Sequence, residues 1–151
     1  SLTAEEYERA VKLLKVGAVI QYGLPGVPSL YYGDEVGMQG YGDPFCRGSY
    51  PWGKEDNDLL EFYKKLGSIR RENDAFASGE FIPVHANFGE FVFIRKKGDT
   101  QILIAASRWC DATTINIPPE FANAECLFGE KQNGTTLTLS PHGYSILKIT
   151  K

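Results

Sequence analysis

Residues 26–35 read GVPSLYYGDE. The apolar and aromatic side chains of this run take consecutive positions, a pattern that is typical of a strand covered on both faces. We therefore predict a buried strand over residues 27–32, ended by Gly33. Asp34 and Glu35 would then stand at the carboxyl end of the strand, which is the end at which α/β proteins bind their ligands.

Helical periodicity flanks this strand on both sides. Thr3 opens a TAEE capping box, and apolar residues then recur at helical spacing, which predicts a helix over residues 4–21. A second amphipathic pattern predicts a helix over residues 57–73, capped by Asp56 or Asn57. Helix, loop, buried strand and helix together form a segment of α/β alternation.

The composition changes after residue 79, where short runs rich in β-branched and aromatic residues are separated by turn clusters. Alternating apolar positions within these runs are typical of half-buried antiparallel strands. We predict an all-β antiparallel sandwich over residues 77–151, after an α/β segment over residues 1–76. The predicted strands cover residues 81–84, 90–95, 101–107, 113–117, 135–139 and 144–149.

The bulk composition excludes several classes of protein. The 151 residues are 42% hydrophobic and 13% aromatic, as in an ordinary globular protein, and the net charge of −3 comes without a basic cluster suited to nucleic acid. The most apolar run, residues 10–22, contains Lys12 and Lys15 and is too short to span a membrane. We predict neither a nucleic-acid nor a membrane partner.

Cysteine usage bears on the cellular compartment. The three cysteines are odd in number, widely spaced and without a CxxC pair. Free thiols in a reducing cytoplasm explain this pattern more simply than one disulfide with a spare cysteine, which stays an alternative. We therefore expect a cytoplasmic protein. No signal peptide is visible, but a natural amino terminus further upstream would leave secretion open.

Two motifs carry a family resemblance. Residues 26–37 resemble the segment around the eighth barrel strand of the α-amylase family of glycoside hydrolases. Residues 42–47, which read GDPFCR, together with Trp52 are similar to the neopullulanase and cyclomaltodextrinase branch. The resemblance implies that residues 1–76 are the last segment of a (β/α)8 TIM barrel, with strand 8 and helix 8. It also implies that residues 77–151 are the carboxyl-terminal β-sandwich domain.

The resemblance implies a function as well. The parent would be a retaining hydrolase of α-glucosidic bonds in maltodextrin, cyclodextrin, pullulan or starch. In this family the catalytic carboxylates come from earlier strands, so we predict that the chain supplies none of them and is inactive alone. We expect no cofactor. Two alternatives stay open: a non-catalytic carbohydrate-binding module, and an interaction module on an amylase-like scaffold.

Asp43 and Arg47 are the sharpest candidates for substrate binding. A carboxylate accepts hydrogen bonds from adjacent sugar hydroxyls, and a guanidinium donates hydrogen bonds in a fixed fork. The resemblance implies that both residues bind glucose on the non-reducing side of the cleaved bond. The local alternative is that Asp43 forms an Asx-turn before Pro44 and pairs with Arg47 only to shape the loop.

Aromatic residues of the same loop are further candidates. We predict that Tyr41 and Trp52 contact substrate, because flat rings cover the apolar face of a pyranose. The stronger alternative for Trp52 is that it anchors the loop to the barrel. Trp109, in the second half of the chain, is a weaker candidate for a second sugar contact, against packing at an edge strand. His85 and His142 are predicted as solvent-facing or turn residues.

Asp34 and Glu35 look like a general acid/base pair, but we predict structural roles for both. Retaining glycosidases place two carboxyl groups ~5–5.5 Å apart across the scissile bond. Adjacent residues in a turn usually point apart, so this pair does not suit that geometry. The resemblance likewise implies that Glu35 supports the end of strand 8 without contacting the sugar.

A single parallel strand lacks the neighbours that its amide groups need. The isolated chain would therefore either pair residues 27–32 with a second copy or pack residues 1–75 as a helical layer on the sandwich. We predict self-association. For the parent enzyme, a homodimer is a candidate state.

Overall fold

A computed structural model describes residues 2–151, with a helical first half and a β-rich second half. The helices are α1 Ala4–Gly23, α2 Asn57–Arg71 and α3 Ala75–Ser78. The strands are β1 Glu80–Ala86, β2 Glu90–Lys97, β3 Thr100–Ser107, β4 Thr113–Asn116, β5 Glu125–Gly129, β6 Thr136–Leu139 and β7 Tyr144–Thr150.

The strands form two antiparallel sheets, one of five strands in the order β1-β2-β3-β7-β5 and one made of β4 and β6. Because side chains alternate along a strand, β3 serves two cores. Ile102 and Ile104 pack with the helices, whereas Leu103 packs with Leu137 and Leu139 of the small sheet. The predicted antiparallel β fold is confirmed, and helices cover the outer face of its large sheet.

Both long helices begin where the sequence predicts. At α1, the Thr3 hydroxyl accepts from the Glu6 amide at 3.2 Å and Glu6 accepts from the Thr3 amide at 2.8 Å, which confirms the capping box. At α2, Asp56 accepts from the Leu59 amide at 3.0 Å. The six predicted strands are present, but β5 was missed because its sequence, ECLFG, has no clear apolar alternation.

The strand predicted over residues 27–32 is not formed in the described chain. These residues follow an irregular path, and Leu30, Tyr31 and Tyr32 are exposed. A parallel strand is stable only with neighbours that satisfy its amide groups, and the described residues contain antiparallel ladders alone. α1 and α2 instead form one hydrophobic core with the large sheet. This packing matches the second predicted arrangement, a helical layer on the β-sheet. Self-association stays a prediction.

Two arginines hold the carboxyl end of α1. Arg95 is 1% exposed, and its guanidinium donates to the carbonyls of Gly23 and Gly79, both at 2.9 Å. Arg70, on α2, donates to the carbonyls of Tyr22 and Gly26. Positive charge is favourable at a helix carboxyl terminus, where the last carbonyls lack helical partners. The two side chains fix where the chain leaves α1 and enters the loop.

A buried carboxylate ties the two sheets together. Glu90, at the start of β2, is 8% exposed. Its carboxylate accepts from the Thr113 hydroxyl of β4 and from Asn87 Nδ2 at 2.8 Å, and it contacts His85 Nε2 at 2.9 Å. The hydrogen bond from Thr113, followed by those from His85 and Asn87, lowers the pKa of Glu90 against the opposing effect of burial.

Glu90→Gln should lower the free energy of unfolding at pH 7 by about 1–3 kcal/mol, because a buried amide cannot accept the same set of hydrogen bonds. The folded-state pKa of Glu90 lies below its unfolded value, so its contribution is present above about pH 4.3 and is lost as the pH falls through the folded pKa. Urea unfolding at pH 7 and pH 3 measures the gap between wild type and variant. An equal gap at both pH values would contradict this assignment.

Candidate loop site

The loop between α1 and α2 contains two short 3-10 turns, at Asp34–Val36 and Phe45–Arg47. The first is flanked by Gly33 and Gly37, with φ of 94° and 69°. These left-handed conformations favour glycine, because a Cβ is strained there. The sharp end that the sequence predicts at Gly33 is therefore present, although no strand precedes it.

A hydrogen bond fixes this loop between the two helices. The Tyr7 hydroxyl of α1 donates to Asp56 Oδ2 at 2.7 Å, and the Asp56 amide donates to the Val36 carbonyl at 3.1 Å. Burial, followed by the hydrogen bond that Tyr7 donates to the Asp56 carboxylate, raises the pKa of Tyr7 to about 12. A Cβ at Gly37 would lie 2.0 Å from the Tyr7 hydroxyl, so glycine is needed there for space as well.

Asp43 and Arg47 form an exposed ion pair. Arg47 Nε lies 3.3 Å from Asp43 Oδ1, and the Cys46 thiol donates to the same oxygen at 3.1 Å. This hydrogen bond, followed by burial, raises the pKa of the Cys46 thiol. The peptide bond from Asp43 to Pro44 is cis. The structure thus brings the two predicted sugar ligands together in an open loop, with Cys46 as a third member that the sequence did not predict.

Asp34 and Glu35 have separate surroundings. Glu35 Oε2 accepts from the Gly33 amide at 2.8 Å, which stabilises the first 3-10 turn. Asp34 is half-buried, and burial, followed by the nearby Glu35 carboxylate, raises its pKa. The contact of Glu35 is local to this turn, and the structural roles of both carboxylates stay predictions.

Two cavities border the loop. One of about 330 Å³ lies against α1, and one of about 260 Å³ lies beside the tyrosines that precede the first turn. Asp34, Met38 and Tyr41 line both cavities. The smaller one is also lined by Tyr31, Tyr32 and Cys46.

Tyr31 and Tyr32 were not predicted as lining residues, for a physical reason. The sequence pattern assigned the two tyrosines to a buried strand, where their rings would have been core. With no parallel neighbour in the described chain, Tyr31 and Tyr32 face the open side of the loop instead, their ring centroids 5.1 Å apart.

Trp52 is open to solvent in the described chain. Its side chain is 82% exposed, and its ring contacts Tyr50 at a centroid distance of 4.6 Å. Neither Trp52 nor Arg47 lines either of the two cavities. Both roles, anchoring of the loop to the barrel and contact with a sugar, therefore stay predictions.

Possible metal ligands, cysteines and apolar helices were compared within residues 2–151. Residues 2–151 hold no group of three or more metal-ligating side chains. Cys46, Cys110 and Cys126 are free thiols, as the sequence predicts. Among the described helices, none is long and apolar enough to cross a membrane.

The chain is similar to known proteins in sequence and in structure. The chain is 47% identical over 87 residues to the amylopullulanase of Thermoanaerobacter thermohydrosulfuricus, covering 58% of this chain and 6% of that protein. It is 34% identical over 142 residues to the cyclomaltodextrinase of Thermoanaerobacter pseudethanolicus, covering 91% of this chain and 25% of that protein. Among solved structures, a debranching enzyme from Nostoc punctiforme matches with a TM-score of 0.80 at 26% identity, covering 92% of this chain and 31% of that one. No family model matches the chain.

The chain is homologous to glycoside hydrolases of the α-amylase family. Within that family, its homologues are amylopullulanases, cyclomaltodextrinases and neopullulanases. The chain spans about a quarter or less of the length of the cyclomaltodextrinases that it matches, which is consistent with a carboxyl-terminal portion of such an enzyme.

Proposed function

We propose that this chain is part of a retaining hydrolase that cleaves α-glucosidic bonds in maltodextrin, cyclodextrin, pullulan or starch. In this proposal residues 1–76 complete a catalytic barrel and residues 77–151 form its carboxyl-terminal domain. The chain supplies Asp43 and Arg47 as ligands of the sugar on the non-reducing side of the cleaved bond. Tyr41 and Trp52 add aromatic contacts.

The exposed pair of Asp43 and Arg47 carries the proposal. Both side chains are open to solvent, so they can accept from and donate to a pyranose without displacing packed core. Their mutual contact fixes the carboxylate relative to the guanidinium, which reduces the conformational entropy lost when a sugar binds. Two homologues of the chain are named for action on cyclomaltodextrin and pullulan, which supports an α-glucan as the ligand.

The irregular path of residues 27–32 also agrees with this proposal. Leu30, Tyr31 and Tyr32 are too apolar for an open surface, and their exposure fits a segment that pairs with barrel strands supplied by the rest of the enzyme. Bound in that way, the segment would place Asp34 and Glu35 at the carboxyl end of strand 8. Their predicted roles there are structural.

The alternative function is a non-catalytic carbohydrate-binding or interaction module. One observation favours it: Asp43 Oδ1 is already occupied by Arg47 and Cys46, as expected if the pair only shapes the loop. Measured activity of the enzyme that contains this chain separates the two readings.

The purified chain alone should release no reducing sugar from maltoheptaose or β-cyclodextrin, because the catalytic carboxylates would lie outside it. The assay compares the chain with a buffer blank, and circular dichroism verifies that the chain is folded. Cleavage above the blank that disappears in Asp34→Asn would contradict the proposal, since it would place catalysis within these residues.

A further inference from the structure

One end of the large sheet carries two aromatic side chains that are wholly or partly open to solvent. Glu90 of β2 pairs with Ser107 of β3, and the Arg108 amide donates to the Gly89 carbonyl at 2.8 Å. The turn before β2 and the segment after β3 therefore lie side by side. They present Phe88, Arg108 and Trp109, which we call the aromatic platform.

The platform combines apolar rings with a cationic donor. Phe88 is 86% exposed and Trp109 is 42% exposed. The Arg108 guanidinium lies 5.6 Å from the centroid of the Phe88 ring, a cation–π contact that leaves its N–H groups in the plane available to a ligand. The Phe88 ring therefore lies beside Arg108 and is open to a ligand.

The backbone beneath the platform is rigid. Asn87 Oδ1 accepts from the amides of Gly89 and Glu90, at 2.8 and 2.7 Å. Glu90 in turn is tied to β4 by the Thr113 hydroxyl. The rings are thus displayed on a fixed turn, and little conformational entropy is lost when a ligand binds to them.

The Trp109 ring is also fixed. It packs against Gly89, where a Cβ would come within 2.0 Å of the indole. The Trp109 carbonyl accepts from the His142 amide at 2.9 Å, so the main chain is held as well. Edge packing therefore explains one face of Trp109, and the remaining exposure leaves part of the ring open to a ligand.

We propose that the aromatic platform is a second binding site for α-glucan chains, separate from the loop that contains Asp43. This inference rests on the proposed function, which supplies the class of ligand. Ring faces cover the apolar face of a pyranose, and the Arg108 guanidinium donates to its hydroxyls. The ligand is a neutral polyol, whereas a nucleic acid would be repelled by a chain with a net charge of −3.

The chain contains two tryptophans, which makes the platform directly observable. In Trp52→Phe, Trp109 is the sole tryptophan, and its fluorescence should change saturably on titration with maltoheptaose. Adding Phe88→Ala should weaken the apparent affinity about tenfold, because a stacked ring is lost. Val27→Ala, another exposed apolar residue, is the matched control and should leave the titration unchanged.

A second background separates this site from the loop site. With Asp43→Ala added to Trp52→Phe, the Trp109 response should persist, whereas its loss would show that the signal arises at the loop and would overturn the platform. A response that Phe88→Ala leaves unchanged, or no response at all, would also overturn it. In that case a shift to lower sedimentation coefficient in Phe88→Ala would identify the patch as a contact between copies of the chain.

Failure of the proposed function gives a different result. Isothermal titration with maltoheptaose of the enzyme that contains this chain compares the two sites: Asp43→Ala should remove the heat of the loop site, whereas Phe88→Ala should weaken only the other site, about tenfold. Platform binding with no Asp43-dependent heat would retain the further inference and reject the assigned role of Asp43.

Discussion

Replacing Arg95 by alanine should lower the free energy of unfolding by about 3–5 kcal/mol, the largest effect on stability that we expect in the chain. Two terms add. Truncation of a side chain that is 1% exposed leaves a cavity, and the carbonyls of Gly23 and Gly79 lose charge-assisted hydrogen bonds. Urea unfolding followed by circular dichroism measures the change.

Arg95→Met separates the two terms, because methionine fills much of the cavity without donating a hydrogen bond. The free energy of unfolding should fall less in Arg95→Met than in Arg95→Ala, and Arg95→Met should still be less stable than wild type. Arg9→Ala, at an exposed position of α1, is the matched control and should change stability by less than about 0.5 kcal/mol. An Arg95→Met variant as stable as wild type would show that the two hydrogen bonds contribute nothing net.

Asp43→Ala should reduce kcat/KM about 10²–10³-fold in the enzyme that contains this chain, because a carboxylate that accepts two sugar hydroxyls would be lost at the bond being cleaved. Arg47→Lys should reduce kcat/KM less than Asp43→Ala does, since the positive charge stays and only the fork geometry of the guanidinium is lost. Initial rates of reducing-sugar release from β-cyclodextrin measure both variants.

The matched control is Asp99→Ala, in the exposed turn between β2 and β3, which should keep wild-type rates. Thermal unfolding of Asp43→Ala must match that of wild type for the comparison to hold. A folded Asp43→Ala enzyme with unchanged kcat/KM would return Asp43 to the role of shaping the loop with Arg47 and Cys46.

Local chemistry made much of the fold predictable. The Thr3 capping box, the Asp56 cap and the alternating strands rest on neighbours within a few residues, so the sequence carries enough information. The strand predicted over residues 27–32 is not formed, because a buried parallel strand depends on other strands that the described chain does not provide. Pattern alone does not say whether such partners are present.

The candidate site was predictable in part for the same reason. Asp43 and Arg47 lie four residues apart, and the structure confirms their proximity. The Cys46 thiol on Asp43 and the exposure of Trp52 depend on the path of an irregular loop, which has no periodic signal. Glu90 was read only as part of a strand, and its contacts reach β4, 23 residues further along the chain.

Reducing-sugar release by the enzyme that contains this chain is the most direct test of the account. Starch, pullulan and β-cyclodextrin should be offered separately, and the account predicts cleavage of at least one, with loss of that activity in Asp43→Ala. The preferred polymer would identify the branch of the family. A folded enzyme that cleaves none of the three would contradict the central claim and support a non-catalytic module instead.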